Sequence, residues 1–284
     1  MGTNGWVRVD CHLHTVASGD ANLTLEQLAE RAHGSGLDVV CVTDHNETSA
    51  AVTAAANREL GVRIVVGEEI RTPDGDVIGL FLTERIPYVL PLAEVVGRIR
   101  AQGGLVYVPH PFDLQRSSLG AVLPGMCERG DVDVVEVFNA KIADQALNDQ
   151  AAALAAAYGL PGGAGSDAHD ADGVGAAWLE LPDFDGPAGF LAALPQARIT
   201  GEYRPHAVRY PRRVVLPASL QADAGGQALA VVGGVAQEQL ARLGPLEVQV
   251  GVVFPGEADA AVDLDVLGGH VEVGLRGVRL GQRG

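Results

Sequence analysis

Two short clusters, far apart in the chain, carry side chains suited to metal chemistry: Asp10-Cys11-His12-Leu13-His14 and Gly165-Ser166-Asp167-Ala168-His169. Each sets two donor-capable residues two apart, and in an extended strand residues i and i+2 face the same way. Each pair can therefore form one wall of a single metal centre. Further candidates recur between them: Asp20, His45, Glu69 and His110. Imidazoles and carboxylates without a cysteine thiolate suit Zn, Mn or Fe and disfavour a structural thiolate site. Two such metals about 3.5–4 Å apart activate water and stabilise the attacking and leaving oxygens of phosphoryl transfer, so the chemistry expected is hydrolysis of a phosphate ester.

The elements that must position these residues follow a rhythm of short β-branched runs, polar motifs and amphipathic helices. Val7-Arg8-Val9 leads into the first His pair, and Leu37 to Thr43 leads into Asp44-His45-Asn46. Val62 to Val66 precedes Gly67-Glu68-Glu69, Gly104 to Val108 precedes Pro109-His110-Pro111, and Val132 to Phe138 precedes Asn139. Thr24 with Gln27 reads as a capping box for a helix reaching about Gly34. Ser49 to Leu60, Leu92 to Gln102 and Asp144 to Tyr158 read as further helices, and Pro73-Asp74-Gly75 as a turn before a strand at Val77 to Leu82. Strands alternating with helices imply βαβ units and a parallel sheet. In a closed barrel the strand C-termini share one rim, so residues from His12 to His169 can meet there.

Beyond about residue 210 the pattern changes to period-two alternation at 248–253, 261–266 and 270–275, which predicts a small antiparallel sheet. Arg212 to Leu216 reads as a further strand and Gln237 to Leu243 as a helix. The organisation expected is a barrel over 1–205 and a β-rich accessory domain over 212–284.

A chain of 284 residues, 47% hydrophobic, can bury a full core. Its 36 acidic against 20 basic residues, a formal charge of -16, argue against a broad nucleic-acid-binding surface or a grip on an anionic membrane. Bound divalent cations would offset part of that charge. Three cysteines make no paired framework, and neither a leader-like segment nor an apolar run of spanning length is evident, so a reducing cytoplasm is expected.

Six motifs in order, His12-Leu13-His14-Thr15 with Ser18 and Asp20, Thr43-Asp44-His45-Asn46, Gly67-Glu68-Glu69, His110-Pro111, Glu136-Val137-Phe138-Asn139 and Gly165-Ser166-Asp167-Ala168-His169, resemble the polymerase and histidinol phosphatase (PHP) family of metal-dependent phosphoesterases. The resemblance covers residues 6 to about 180. It implies an α/β fold, a distorted (β/α)7 barrel, with a trinuclear site taking two or three divalent ions (Mn, Zn or Fe). His12, His14, bridging Glu69 and Asp167 would hold the first metal, Glu69 and His110 the second, and Asp20, His45 and His169 the third. Many relatives add a histidine to the second metal where this chain has Asp76, a possible oxygen donor with which the second metal would either bind weakly or prefer Mn or Mg over Zn. Glu136, Asn139 and Asp44 are expected to support ligands rather than ligate.

Arg116 and Lys141 follow His110 and Asn139 on the expected rim, where they would clamp a substrate phosphate. His33, His206 and His270 lack strand-end context and are read as structural or surface residues. The activity expected is hydrolysis by a metal-activated hydroxide of a small phosphomonoester or nucleotide, as in histidinol phosphatase. Exonucleolytic trimming of a short nucleic-acid end is the alternative within the same chemistry, and a non-catalytic metal-binding interaction module is the alternative outside it.

Overall fold

A computed structural model describes residues 5–142 and 144–204, together with three strands at 248–252, 260–267 and 270–275. The chain divides into two compact units, Met1–Tyr210 and Pro211–Gly284.

In the first unit the order is β1 (Trp6–Leu13), α1 (Leu25–Ser35), β2 (Val39–Val42), α2 (Ser49–Ala56), β3 (Arg63–Thr72), β4 (Gly75–Leu80), α3 (Leu92–Ala101), β5 (Leu105–Val108), α4 (Leu123–Arg129), β6 (Val134–Asn139), α5 (Gln145–Tyr158), β7 (Gly162–Gly165), β8 (Ala177–Pro182), α6 (Gly186–Ala193) and β9 (Arg198–Gly201). One sheet runs β7-β6-β5-β4-β3-β2-β1-β8-β9. Its two flanks approach each other just past β7, where His14 N donates to Ala168 O (2.9 Å) and Asp167 N to His12 O (2.7 Å). These bonds bring the sheet close to a closed seven-stranded barrel, and they seat the two chemistry-bearing clusters side by side.

Six of the seven strands are parallel, as the alternation of strands and helices predicts. The exception is β4, which pairs antiparallel with both β3 and β5. The Pro73-Asp74 turn is only two residues long, too short for the crossover that a parallel partner needs, so β4 folds straight back on β3. A consequence is that Asp76 sits directly opposite Arg71.

Local signals place the helices. Thr24 and Gln27 close the capping box reciprocally, and α1 ends at Gly36 in the left-handed region (φ 70°). Asp144 caps α5 by accepting from Ala146 N, and Gly159 (φ 63°) ends it. The Ser49 to Leu60 stretch breaks at Asn57, so α2 stops at Ala56 and a short 3-10 turn follows.

Val9, Cys11, Val39, Cys41, Ile78 and Tyr107 fill the core together with Phe190 of α6 and Leu179 of β8. Leu28, Ala32, Val40 and Val42 pack α1 on β2. The glycines of β7 answer to close approach: a Cβ on Gly165 would overlap the His12 side chain and lie 2.7 Å from Glu136 Oε1.

In the second unit β10 (Val248–Val252), β11 (Ala260–Leu267) and β12 (His270–Leu275) form an antiparallel sheet in that order. The expected strand at Arg212 to Leu216, the helix at Gln237 to Leu243, and His206 lie outside the described residues. Among the described residues no helix is long and apolar enough to cross a membrane.

Candidate metal centre

At the C-terminal rim of the parallel strands, four side chains from three segments converge. His12 Nε2 and His14 Nε2, from β1, are 3.0 Å apart. Glu69 Oε2, from β3, lies 3.5 and 3.3 Å from them. Asp167 Oδ1, just past β7, lies 3.8 and 3.6 Å from the same two atoms. Four donors about 2.1 Å from one tetrahedral ion would stand about 3.4 Å apart. The five observed separations bracket that value, so this donor set fits a divalent metal. All four residues are buried, and Glu69 Oε2 has no hydrogen-bond partner of its own. A buried carboxylate oxygen ringed by imidazole nitrogens and left without a donor is the signature of a site built for a cation.

A second grouping joins His14, His45 and His169. Asp20 stands beside it, with Oδ2 3.4 Å from His45 Nε2 and Oδ1 buried without a partner. A third brings His12, Glu69 and His110 together, with His110 Nε2 3.1 Å from Glu69 Oε1 and His110 Nδ1 unpartnered. His110 (φ 27°) and Asp167 (φ 51°) both adopt positive φ, a strained backbone of the kind that collects at functional sites.

Neighbouring groups fix which ring nitrogen of each histidine can serve. Glu136 Oε1 accepts from His12 Nδ1–H (3.0 Å), which leaves the Nε2 lone pair facing the cluster. For His14 the proton on Ser18 decides. Ser18 Oγ–H is donated to Asp44 Oδ1 (2.7 Å), so Ser18 accepts from His14 Nδ1–H (3.0 Å) and again Nε2 is the free lone pair. Asp44 is held in turn by Thr15 N (2.6 Å) and Thr15 Oγ1 (2.7 Å).

Electrostatics agree with this for His14, His169 and His110, while His12 must give up a proton when a metal binds. Burial, then the proximity of His169 and His45, holds His14 well below the usual histidine range. Burial with Lys141 and His45 does the same for His169, and burial keeps His110 low. Neutral imidazole is the metal-binding form. Burial also disfavours charge on His12, but the Glu136 and Glu69 carboxylates outweigh it and push His12 up to about 9. Burial opposes ionisation of Glu69, yet His45, His12 and His110 hold it well below the usual carboxylate range.

The remaining residues singled out in the sequence fall as follows. Arg116 ion-pairs with Asp167 Oδ2 through Nη1 and reaches Asp113 (3.2 Å) through Nε. Lys141 Nζ lies 2.8 Å from His169 Nδ1 and 3.9 Å from Asp167 Oδ1. Lys141 is thus buried and Arg116 largely buried against the centre rather than solvated on the surface. Asp76 is near the centre, but both of its oxygens are engaged by Arg71. Burial and the charge of Glu69 push Asp76 up to about 7, against the pull of Arg71. Three side chains that serve the site went unassigned in the sequence. Asp10 Oδ1 accepts from both His12 N (3.2 Å) and Ser166 N (3.0 Å), tying the two clusters together, and its i, i+2 spacing to His12 was the available signal. Ser18 orients His14. Tyr107 OH donates to Glu136 (3.1 Å), and nothing in its local sequence marks it.

Glu68 turns to the opposite face of β3, where Oε2 accepts from Ile86 N (2.7 Å) and Oε1 has no partner. Burial pushes it up to about 7. Between the ordinary glutamate value and 7 the folded state holds more protons than the unfolded one, so stability falls as pH rises through that window. Glu68→Gln should therefore stabilise the protein more at pH 8 than at pH 5, by on the order of 2–3 kcal/mol, read from paired urea melts. An equal effect at both pH values would contradict this.

A PHP domain model matches residues 10–103 and a PHP-associated model matches residues 145–199. The Methanocaldococcus jannaschii proteins named Uncharacterized protein MJ1587 and MJ0417 are similar to the chain. The first is 36% identical over 154 residues, 50% of this chain and 88% of its own length. The second is 37% identical over 198 residues, 66% of this chain and 79% of its own length. A crystal structure from Bacteroides vulgatus, of a two-domain protein described as containing a predicted PHP-like metal-dependent phosphoesterase, superposes with a TM-score of 0.56 at 16% identity. That match covers 69% of this chain and 65% of the other, just under two thirds, and it bears on the fold. With the barrel, the order of the motifs and these relatives taken together, the chain belongs to the PHP family of metal-dependent phosphoesterases.

Proposed function

We propose that the chain hydrolyses a small phosphomonoester, of the sugar- or amino-alcohol-phosphate or nucleotide class, at a divalent-metal centre. The observation that carries this reading is the buried donor set His12, His14, Glu69 and Asp167, spaced 3.0–3.8 Å apart, with two cationic side chains packed against Asp167. Divalent metals at this centre supply activation of water and neutralisation of the phosphoryl oxygens.

The chain's own residues do the rest. Glu136 and the Ser18–Asp44 pair hold His12 and His14 in the tautomers that ligation needs. Arg116 and Lys141 are poised to orient the phosphoryl group, as a fork and a point charge respectively. Exposure rises from His12 and His14 (0%) through His169 (7%) to His45 (15%) and Asp20 (23%). The mouth therefore lies on the His45 and Asp20 side. Such a site suits a compact phosphate ester. Residues 1–205 carry this chemistry and residues 212–284 form a β-rich accessory domain.

The test is phosphate release by chelator-stripped protein reloaded with Mn, Zn or Fe, against a phosphomonoester panel and a short oligonucleotide. Turnover of monoesters without shortening of the oligonucleotide supports the reading. Shortening alone would move the substrate to nucleic-acid ends. No turnover in any metal form would leave a non-catalytic metal-binding module.

A further inference from the structure

The family resemblance gives the second metal three potential donors in this chain: Glu69, His110 and the residue at position 76. Two of them face each other, Glu69 Oε1 and His110 Nε2, 3.1 Å apart. The third is already taken. The β3–β4 register sets Arg71 opposite Asp76, and the guanidinium forks onto the carboxylate, Nε toward Oδ1 and Nη2 toward Oδ2 (3.1 Å).

We propose that the Arg71 guanidinium stands in for the second cation, so that this centre takes two tightly held divalent metals rather than three. The inference rests on the metal-centre reading above and concerns only its stoichiometry.

Four observations bear on it. A bidentate guanidinium takes the inward lone pairs of both Asp76 oxygens, the ones a metal would use. The Asp76 side chain is 4% exposed against 44% for Arg71, and the Asp76 backbone is held by Ser117 O, so the carboxylate is buried beneath the guanidinium that covers it. Arg71 and Glu69 are two apart on one strand and share a face, which brings the positive charge alongside the carboxylate that would otherwise bridge to the second metal. With Asp76 engaged, the subsite keeps two protein donors, where catalytic sites of this donor type use three. The guanidinium cannot be deprotonated, so pH does not relieve the block. The first subsite needs none of these residues beyond Glu69 Oε2, and the third needs none at all.

The experiment counts metal. Full-length chain is stripped, loaded with excess Mn, passed through a desalting column and measured by elemental analysis against protein concentration. Calorimetric titration with Mn provides an independent count of tight sites. The wild type should hold two per chain. Arg71→Met and Arg71→Gln, which remove the charge and free Asp76, should each hold three, whereas Arg71→Lys, which keeps the charge, should stay at two. Circular dichroism checks that each variant is folded. Three tight ions in the wild type would overturn the inference, and so would two in a folded Arg71→Met or Arg71→Gln. Should neither neutral variant fold, the wild-type count decides: two sustains it and three overturns it. A wild type that holds no metal would instead remove the metal-centre reading beneath it.

Discussion

Replacing Asp167 by asparagine is expected to lower phosphomonoester turnover by about 10³-fold or more while leaving the fold intact. A metal's combined work as Lewis acid and water activator is worth several kcal/mol, and each 1.36 kcal/mol is tenfold in rate. Asp167 is the residue on which the site's parts meet. Its Oδ1 faces His12 and His14 Nε2, while its Oδ2 takes the Arg116 ion pair and a bond from Asn139 Nδ2 (3.1 Å). Asparagine keeps the size and tolerates the positive φ of this position, so the loss should be one of charge and ligation rather than of structure. Alanine should lose the activity as well and should also destabilise the protein, because the largely buried Arg116 loses its carboxylate and φ of 51° suits alanine poorly. Parallel measurement of kcat/KM and metal content checks this. Turnover within tenfold of wild type would mean that Asp167 is not a ligand.

The second large effect is expected at Glu136, which touches no predicted substrate position. Its carboxylate accepts four bonds: from His12 Nδ1 (3.0 Å), Tyr107 OH (3.1 Å), His110 N (2.7 Å) and Asn139 Nδ2 (2.9 Å). Glutamine has one acceptor oxygen, so Glu136→Gln would turn its N–H groups against at least one pair of donors in a buried setting. Either His12 rotates to the other tautomer, withdrawing its Nε2 lone pair, or a donor goes unmet at about 1–3 kcal/mol. Partners of this kind are worth about 10–100-fold in metal affinity or activity. Competition for Mn against a fluorescent chelator should show a weakening of that size. An unchanged affinity would refute the assignment of Glu136 as the group that sets His12.

Much of this site is legible in the sequence because a strand's two-residue period and its C-terminal end are both local properties. His12 and His14, and likewise Asp167 and His169, are recognisable as pairs from their spacing alone. Alternation puts Glu68 and Glu69 on opposite faces, but the choice of Glu69 for the centre comes from the Gly-x-Glu spacing of the family it resembles; Glu68 turns away to Ile86. Helix ends at Thr24, Asp144 and Gly159 follow from capping chemistry alone. What stays hidden depends on register or on long reach. The antiparallel course of β4 follows from the length of one turn, and the pairing of Arg71 with Asp76 follows from that course. Arg116 meets Asp167 across 51 positions of chain, and Tyr107 meets Glu136 across the barrel interior, contacts that no periodicity encodes. Strands β8 and β9 and helix α6, which extend the sheet beyond β1, likewise carry no motif that announces them.

The central claim is that His12, His14, Glu69 and Asp167 form one metal-binding cage. Anomalous diffraction from crystals soaked in Mn tests it most directly. The geometry predicts a strong peak within bonding distance of His12 Nε2, His14 Nε2, Glu69 Oε2 and Asp167 Oδ1. Crystals of catalytically active protein with Mn bound elsewhere and no peak among these four atoms would contradict it.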